Sequence, residues 1–255
     1  MPQLKLHDFK RLDTLIKNWL TWQNTFSHSL ELVRPIYGGL TNHNFLLKCG
    51  DNKFVARLNN PHSPNLGIDR QTEISILNCL KHTGLTSEII YWHQPTDITL
   101  FKYIEGRSWN QSDLRKHSNT LADAVNIYQQ VSCDVPHIQY DEYLKKYWRI
   151  LEQKQPSITQ KLKTEWNNFS KRVKVFSKQN WERKLTHHDL TASNIIETDE
   201  GIKIIDWEYA SLGHPAIDAI YAGLADHYVA YPKDEIHFLR EMINWMDQLW
   251  RYINK

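Results

Sequence analysis

The stretch Leu185-Thr186-His187-His188-Asp189-Leu190-Thr191-Ala192-Ser193-Asn194, continued by Ile204-Ile205-Asp206-Trp207-Glu208, decides how this chain is read. Asp189 and Asn194 stand five positions apart, close enough for one loop to present a carboxylate and an amide together. Asp206 closes an apolar run that follows the turn Asp199-Glu200-Gly201, which predicts a small hairpin. Phosphoryl transfer asks little else of a protein: a carboxylate to orient an incoming hydroxyl, and hard oxygens to hold Mg²⁺ against the phosphates of ATP. The spacing assigns Asp189 to the hydroxyl as catalytic base and Asn194 and Asp206 to the metal. His187 joins the same catalytic loop as its brace.

Upstream, Phe45-Leu46-Leu47 and Phe54-Val55-Ala56-Arg57-Leu58 flank Gly50-Asp51-Asn52 and predict a β-hairpin. Gly38-Gly39-Leu40-Thr41-Asn42 stands just before it. There, backbone N–H groups and the small side chains of Thr41 and Asn42 can approach phosphates. Arg57 ends the second strand, where a cation reaches the α- and β-phosphates. Glu73, on the helix expected after Asp69, is the carboxylate placed to orient it. Two more strands, Ile89–Trp92 and Ile98–Ile104, lead to a hinge near Tyr103-Ile104-Glu105-Gly106.

Helical spacing opens the chain at Phe9, Leu12, Ile16 and Trp19. It returns over 112–132 and 140–177, and closes the chain at Ile236, Leu239, Ile243, Met246, Trp250 and Ile253. Strands followed by helices predict an α+β architecture, not a doubly wound sheet. The expected division is a nucleotide-binding lobe over 1–104 and a helical lobe over 105–255.

Composition narrows the partners. At 255 residues and a net charge of +2, nothing global favours nucleic acid, and the basic stretch from Lys171 to Lys184 reads as the wet face of a helix. No apolar run is long enough to span a bilayer, and charges scattered through the first 22 residues exclude a secretory core, so no membrane insertion is expected. Cys49, Cys79 and Cys133, odd in number and far apart, predict reduced thiols in a cytoplasmic protein, a monomer or homodimer.

With these residues in view, the sequence resembles the choline/ethanolamine kinase and thiamine kinase group of the aminoglycoside-phosphotransferase-like small-molecule kinases. His187–Asn194 resembles the family's catalytic loop, and Ile205-Asp206-Trp207-Glu208-Tyr209-Ala210 its metal-binding segment. Gly38–Asn42 resembles the nucleotide loop, Val55–Leu58 the phosphate-contacting strand, Arg70–Glu73 the helix that orients it, and Tyr103–Gly106 the hinge. The resemblance implies a protein-kinase-like fold with a small strand-rich N-lobe and a larger helical C-lobe carrying the catalytic hairpin. ATP would lie between the lobes, contacted by Gly38, Gly39, Thr41, Asn42, Arg57, Glu73, Tyr103 and Ile104. It implies Mg²⁺ on Asn194 and Asp206, and Glu208 as a second acid near metal or substrate.

Choline and thiamine are both permanent cations with a primary hydroxyl, and an aromatic ring face attracts such a cation. Among ten Trp and twelve Tyr, Trp207 and Tyr209 adjoin the metal strand and, with Glu208, are the expected substrate contacts, Tyr209 the best placed. The residues leave choline, ethanolamine and thiamine open, with an aminoglycoside or homoserine as further acceptors. A rival from another class is a metal-dependent phosphohydrolase built on His188-Asp189, completed by His137, His214 and Asp218.

Overall fold

The structure, a computed structural model, describes residues 6–23, 25–37, 41–224 and 231–254. It is α+β and forms two compact units that are interleaved along the chain. The first comprises residues 1–69, 84–107 and 196–205; the second comprises 70–83, 108–195 and 206–255.

The first unit is built on a five-stranded antiparallel sheet of β1 (Glu31–Ile36), β2 (His43–Cys49), β3 (Asn52–Leu58), β4 (Ile89–His93) and β5 (Ile98–Lys102), in the order β1-β2-β3-β5-β4. The expected hairpin is β2–β3, with Phe45 opposite Ala56, and β3 passes the register on by setting Ala56 opposite Leu100. Gly50 takes the turn at φ 58°, a left-handed conformation that glycine adopts without a Cβ clash. Helix α1 (Leu6–Trp22) buries Leu12, Leu15 and Trp19, spaced by three and four, in one core with Phe45, Leu47, Phe54 and Leu58.

β1 was not expected, because Pro35 reads as a break. Proline cannot donate to a ladder, but an edge strand has a side that needs no donor, and β1 is an edge strand. A three-stranded sheet of β6 (Arg107–Ser108), β8 (Ile195–Thr198) and β9 (Gly201–Ile204), in the order β6-β8-β9, contains the predicted hairpin around Gly201. Gly106 lies so close to β8 that an added Cβ would fall 2.2 Å from the carbonyl oxygen of Glu197.

The second unit is largely helical. It contains α2 (Arg70–Leu80), α3 (Gln111–Lys116), α4 (Ser118–Gln129), α5 (Tyr140–Lys154), α6 (Pro156–Phe176), α7 (Ala216–Tyr221) and α8 (Lys233–Ile253). Trp148 of α5 stacks on Trp166 of α6 at 4.6 Å between centroids, and Phe169 of α6 stacks on Trp245 of α8 at 5.2 Å. Aromatic faces so placed add to the burial that holds such helices together. A short antiparallel pair, β7 (Lys184–Thr186) with β10 (Ser211–Gly213), brackets the candidate site sequence. One expectation is corrected here: the cysteines are not all free thiols. Cys79 at the end of α2 and Cys133 after α4 form a disulfide, leaving Cys49 free and buried. Their 54-residue separation has no local spacing signature, which is why the sequence hid it.

Candidate active site

The candidate catalytic loop follows β7 directly, and its shape is imposed from beneath. Asp218, wholly buried on α7, accepts the backbone N–H of His187 at 2.7 Å and that of His188 at 3.0 Å, and the hydroxyl of Tyr128 at 2.6 Å. One carboxylate thereby satisfies two consecutive amides that no strand could pair. Burial pushes its pKa up, and the nearby His187 together with these hydrogen bonds holds it down.

His187 is fully buried, its ring edge-on to Trp207 at 4.7 Å, and its Nδ1 accepts the N–H of Asp189 at 3.3 Å. That contact ties two neighbouring residues of the loop together. His188 sits at φ 65° and turns its ring inward, where Nε2 meets the Tyr140 hydroxyl at 3.0 Å. The same hydroxyl accepts the N–H of His214 at 2.9 Å. Gly213 leaves room for this contact, since an added Cβ would lie 2.5 Å from His188 Nε2 and 2.8 Å from the Tyr140 oxygen.

Asp189 is half-buried. Asn194 Nδ2 donates to its backbone oxygen at 2.8 Å and to its carboxylate at 3.0 Å, which joins the two ends of the five-residue spacing. Burial raises the Asp189 pKa to about 7. The Asn194 hydrogen bond opposes that rise, and the charges of Asp247, Glu208 and Asp218 add to it. With its amide nitrogen committed to Asp189, Asn194 has Oδ1 to offer, a hard oxygen of the kind Mg²⁺ takes. The Asp206 carboxylate is a second group of that kind. Asp206 leaves β9 at φ 65° and ψ 56°, a left-handed residue that turns the chain sharply into the 3₁₀ turn Trp207–Tyr209. This donor set fits a magnesium ion and gives none of the nitrogen or sulfur ligands that zinc prefers.

The three residues after Asp206 have distinct surroundings. Trp207 is buried against His187 and Tyr128. Glu208 is buried in an ion pair with Arg70 of α2 at 2.9 Å, and the same guanidinium nitrogen lies 2.8 Å from Glu73. Tyr209 accepts the indole N–H of Trp250 at 3.0 Å and belongs to a group with Tyr147 and Tyr143, whose hydroxyls are 2.8 Å apart. Asp247 on α8 accepts from Tyr221 at 3.0 Å, and burial raises its pKa. Its charge bears on both Asp189 and Tyr143. Asp247 escaped the sequence reading, although an acid four positions after Ile243 on an otherwise apolar stripe was a usable signal.

The nucleotide candidates belong mainly to the first unit. Gly38 and Gly39 lie outside the described residues. Thr41 is half-buried; Asn42 is buried, and its Oδ1 accepts the N–H of Asn60 at 3.1 Å. Arg57 is buried at the end of β3 over the ring of Phe101, and its Nε donates to Asn59 Oδ1 at 2.8 Å. Tyr103 donates its N–H to Lys53 at 2.9 Å, and Ile104 follows it, half-buried. Glu73 belongs to the second unit, on the first turn of α2.

The phosphohydrolase constellation does not assemble. His188 is engaged by Tyr140, His214 by Glu235 at 2.8 Å, His137 by Gln139, and Asp218 by the loop amides. Among the described residues no three His, Cys, Asp or Glu side chains cluster to hold a metal. No described helix is long and apolar enough to cross a membrane.

Residues 33–244 match the family model for choline/ethanolamine kinase. Protein LicA of Haemophilus influenzae is 27% identical over 201 residues, covering 76% of this chain; the chain spans 58% of that relative's length. Choline kinase LicA from Streptococcus pneumoniae has a TM-score of 0.74 at 20% identity, covering 95% of this chain and 90% of that one. LicA in complex with AMP gives a TM-score of 0.75 at 19% identity, covering 95% and 89%. At these identities the structural likeness speaks for the fold, which is protein-kinase-like, as the sequence implied.

Proposed function

Because the chain belongs to the choline/ethanolamine kinase family, we propose that it transfers the γ-phosphoryl group of ATP to the hydroxyl of a small quaternary-ammonium alcohol of the choline type. The observation that carries the reading is the setting of Asp189: tied to Asn194, and surrounded by the charges of Asp247 and Glu208. An aromatic group of Tyr143, Tyr147, Tyr209, Tyr221 and Trp250 adjoins these acids. Acids and ring faces together suit a poorly hydrated cation, each ring face contributing about 0.5–2 kcal/mol.

In this reading the hydroxyl oxygen attacks the γ-phosphorus as the bond to the β-γ bridging oxygen breaks, and ADP leaves. Asp189 orients the hydroxyl and takes its proton. Asn194 Oδ1 and Asp206 would hold Mg²⁺, which would supply charge neutralisation on the phosphates. Arg57 is assigned to the α- and β-phosphates, with Glu73 the carboxylate expected to orient it. Gly38, Gly39, Thr41, Asn42, Tyr103 and Ile104 are assigned to the remaining nucleotide contacts. Tyr209 faces the acceptor, while Trp207 and Glu208 act on it through the turn they fix. A bound cation lowers the Asp189 pKa again, so the acceptor's own charge readies its base.

The test is ADP release with choline, ethanolamine, thiamine, homoserine and an aminoglycoside compared at equal concentration. Choline should give the highest kcat/KM, with ethanolamine weaker. Turnover led by thiamine, homoserine or the aminoglycoside would transfer the proposal to that acceptor; ADP release indifferent to every alcohol would refute it.

A further inference from the structure

Helix α1 precedes the residues that match the family model, yet one of its side chains reaches the strand end carrying Arg57. The Arg11 guanidinium donates three hydrogen bonds, all to backbone carbonyls. Nε donates to Thr96 at 2.9 Å, Nη1 to Asn59 at 3.1 Å and Nη2 to Asp97 at 2.7 Å. Asn59 is fully buried and is the next link: its Oδ1 accepts from Arg57 Nε at 2.8 Å, and its Nδ2 donates to Asp97 Oδ1 at 2.8 Å. Asp97 itself holds φ 51°, and its backbone oxygen also accepts the N–H of Asn59 at 3.1 Å. Asp8, 3.8 Å from Arg11, and His43, 3.5 Å from Asp8, flank the network from α1 and β2.

A planar fork with five donors can serve three carbonyls in fixed directions, and lysine cannot reproduce that geometry. The link has a consequence for direction as well as for stability. Arg57 is aimed by Asn59, and Asn59 is held by both Arg11 and Asp97, so the cation's orientation is set from the N-terminal helix.

We infer that Arg11 is a positioning residue for nucleotide binding, acting through Asn59 on Arg57. The inference rests on the reading of Arg57 as a phosphate contact. Two neighbouring elements otherwise unconnected with the chemistry, α1 and the turn between β4 and β5, become part of the nucleotide site's support.

The test measures MgATP affinity by equilibrium binding, without an acceptor, for wild type, Arg11→Lys, Arg11→Met and Arg57→Ala, and for Arg11→Met combined with Arg57→Ala. Cooperative unfolding checks that each variant is folded. Arg11→Met should weaken MgATP by about tenfold, equivalent to ~1.4 kcal/mol, with a smaller loss for Arg11→Lys. The Arg11→Met effect should largely vanish once Arg57 is alanine, because the two act in series. Folded Arg11 variants with wild-type affinity would overturn the inference. So would an Arg11→Met penalty that persists in full beside Arg57→Ala. If Arg11→Met does not fold, Arg11→Lys alone and beside Arg57→Ala carries the same comparison. An Arg57→Ala variant that binds MgATP normally would instead refute the nucleotide role of Arg57, a separate failure.

Discussion

Arg70, in the first turn of α2, is ion-paired with Glu208 at 2.9 Å, so a helix remote in sequence grips the turn two residues beyond Asp206. The same nitrogen meets Glu73 at 2.8 Å, and all three side chains are almost wholly buried. Two acids share one cation in a setting that water barely reaches.

Removing that cation should be costly. Arg70→Ala leaves Glu73 and Glu208 buried without it, and deleting one partner of a buried pair destabilises by about 3–5 kcal/mol. Denaturant unfolding of Arg70→Ala against wild type measures this, and a loss below about 1 kcal/mol would show that the pair carries little. Replacing Glu208 by Gln should cost less, because the guanidinium keeps Glu73.

Asp189→Asn should lower kcat by roughly 10²–10⁴-fold, the usual worth of a positioned general base. MgATP affinity should stay within about threefold, since the proposed role is toward the hydroxyl. A variant that turns over at wild-type rate would remove Asp189 from the reaction.

The loop proposed for catalysis could be picked out because its polar residues are contiguous. Asp189, Asn194 and Asp206 lie within a short span, and their polar types against apolar flanks leave few alternatives. The hairpins were equally plain from alternation and turn residues. What stayed hidden depends on distant partners: Asp218 beneath the loop, Asp247 beside it, Arg70 on Glu208, and Arg11 on Asn59. Each joins segments that only the folded chain brings together. Trp207 was expected near the acceptor, but its neighbours are His187 and Tyr128, which no local pattern could reveal.

Adjacent residues 188 and 189 should pull stability in opposite directions as pH changes. Burial lowers the His188 pKa from 6.5 to about 4, so its neutral ring favours the fold above pH 6.5. That contribution, about 3 kcal/mol, is lost as pH falls toward 4. Asp189 has the reverse sign: its raised pKa favours the fold below 3.8, and that advantage disappears as pH rises to about 7. In metal-free buffer, Asp189→Asn should therefore gain on wild type as pH rises from 4 to 7. His188→Gln should gain on wild type as pH falls from 6.5 to 4. Unfolding free energies across that range that track wild type in parallel would contradict both assignments.

The Cys79–Cys133 bridge closes a loop of 54 residues, for which chain-entropy arguments give about 4 kcal/mol. Peptide mapping without reductant should recover these two joined and Cys49 free. Replacing both by serine should lower stability by about 2–4 kcal/mol. Mapping that finds three thiols would restore the expectation drawn from their spacing.

His188 and Asp206 both hold φ 65°, a conformation that disfavours side chains carrying a Cβ by about 1–2 kcal/mol per residue. A chain selected only to resist unfolding would place glycine at both. Each instead carries a side chain, one filling the space beside Gly213 and the other proposed to offer oxygen to a cation. The molecule is thus kept slightly tense at the two bends that carry these side chains, and relaxing either bend would trade grip for comfort.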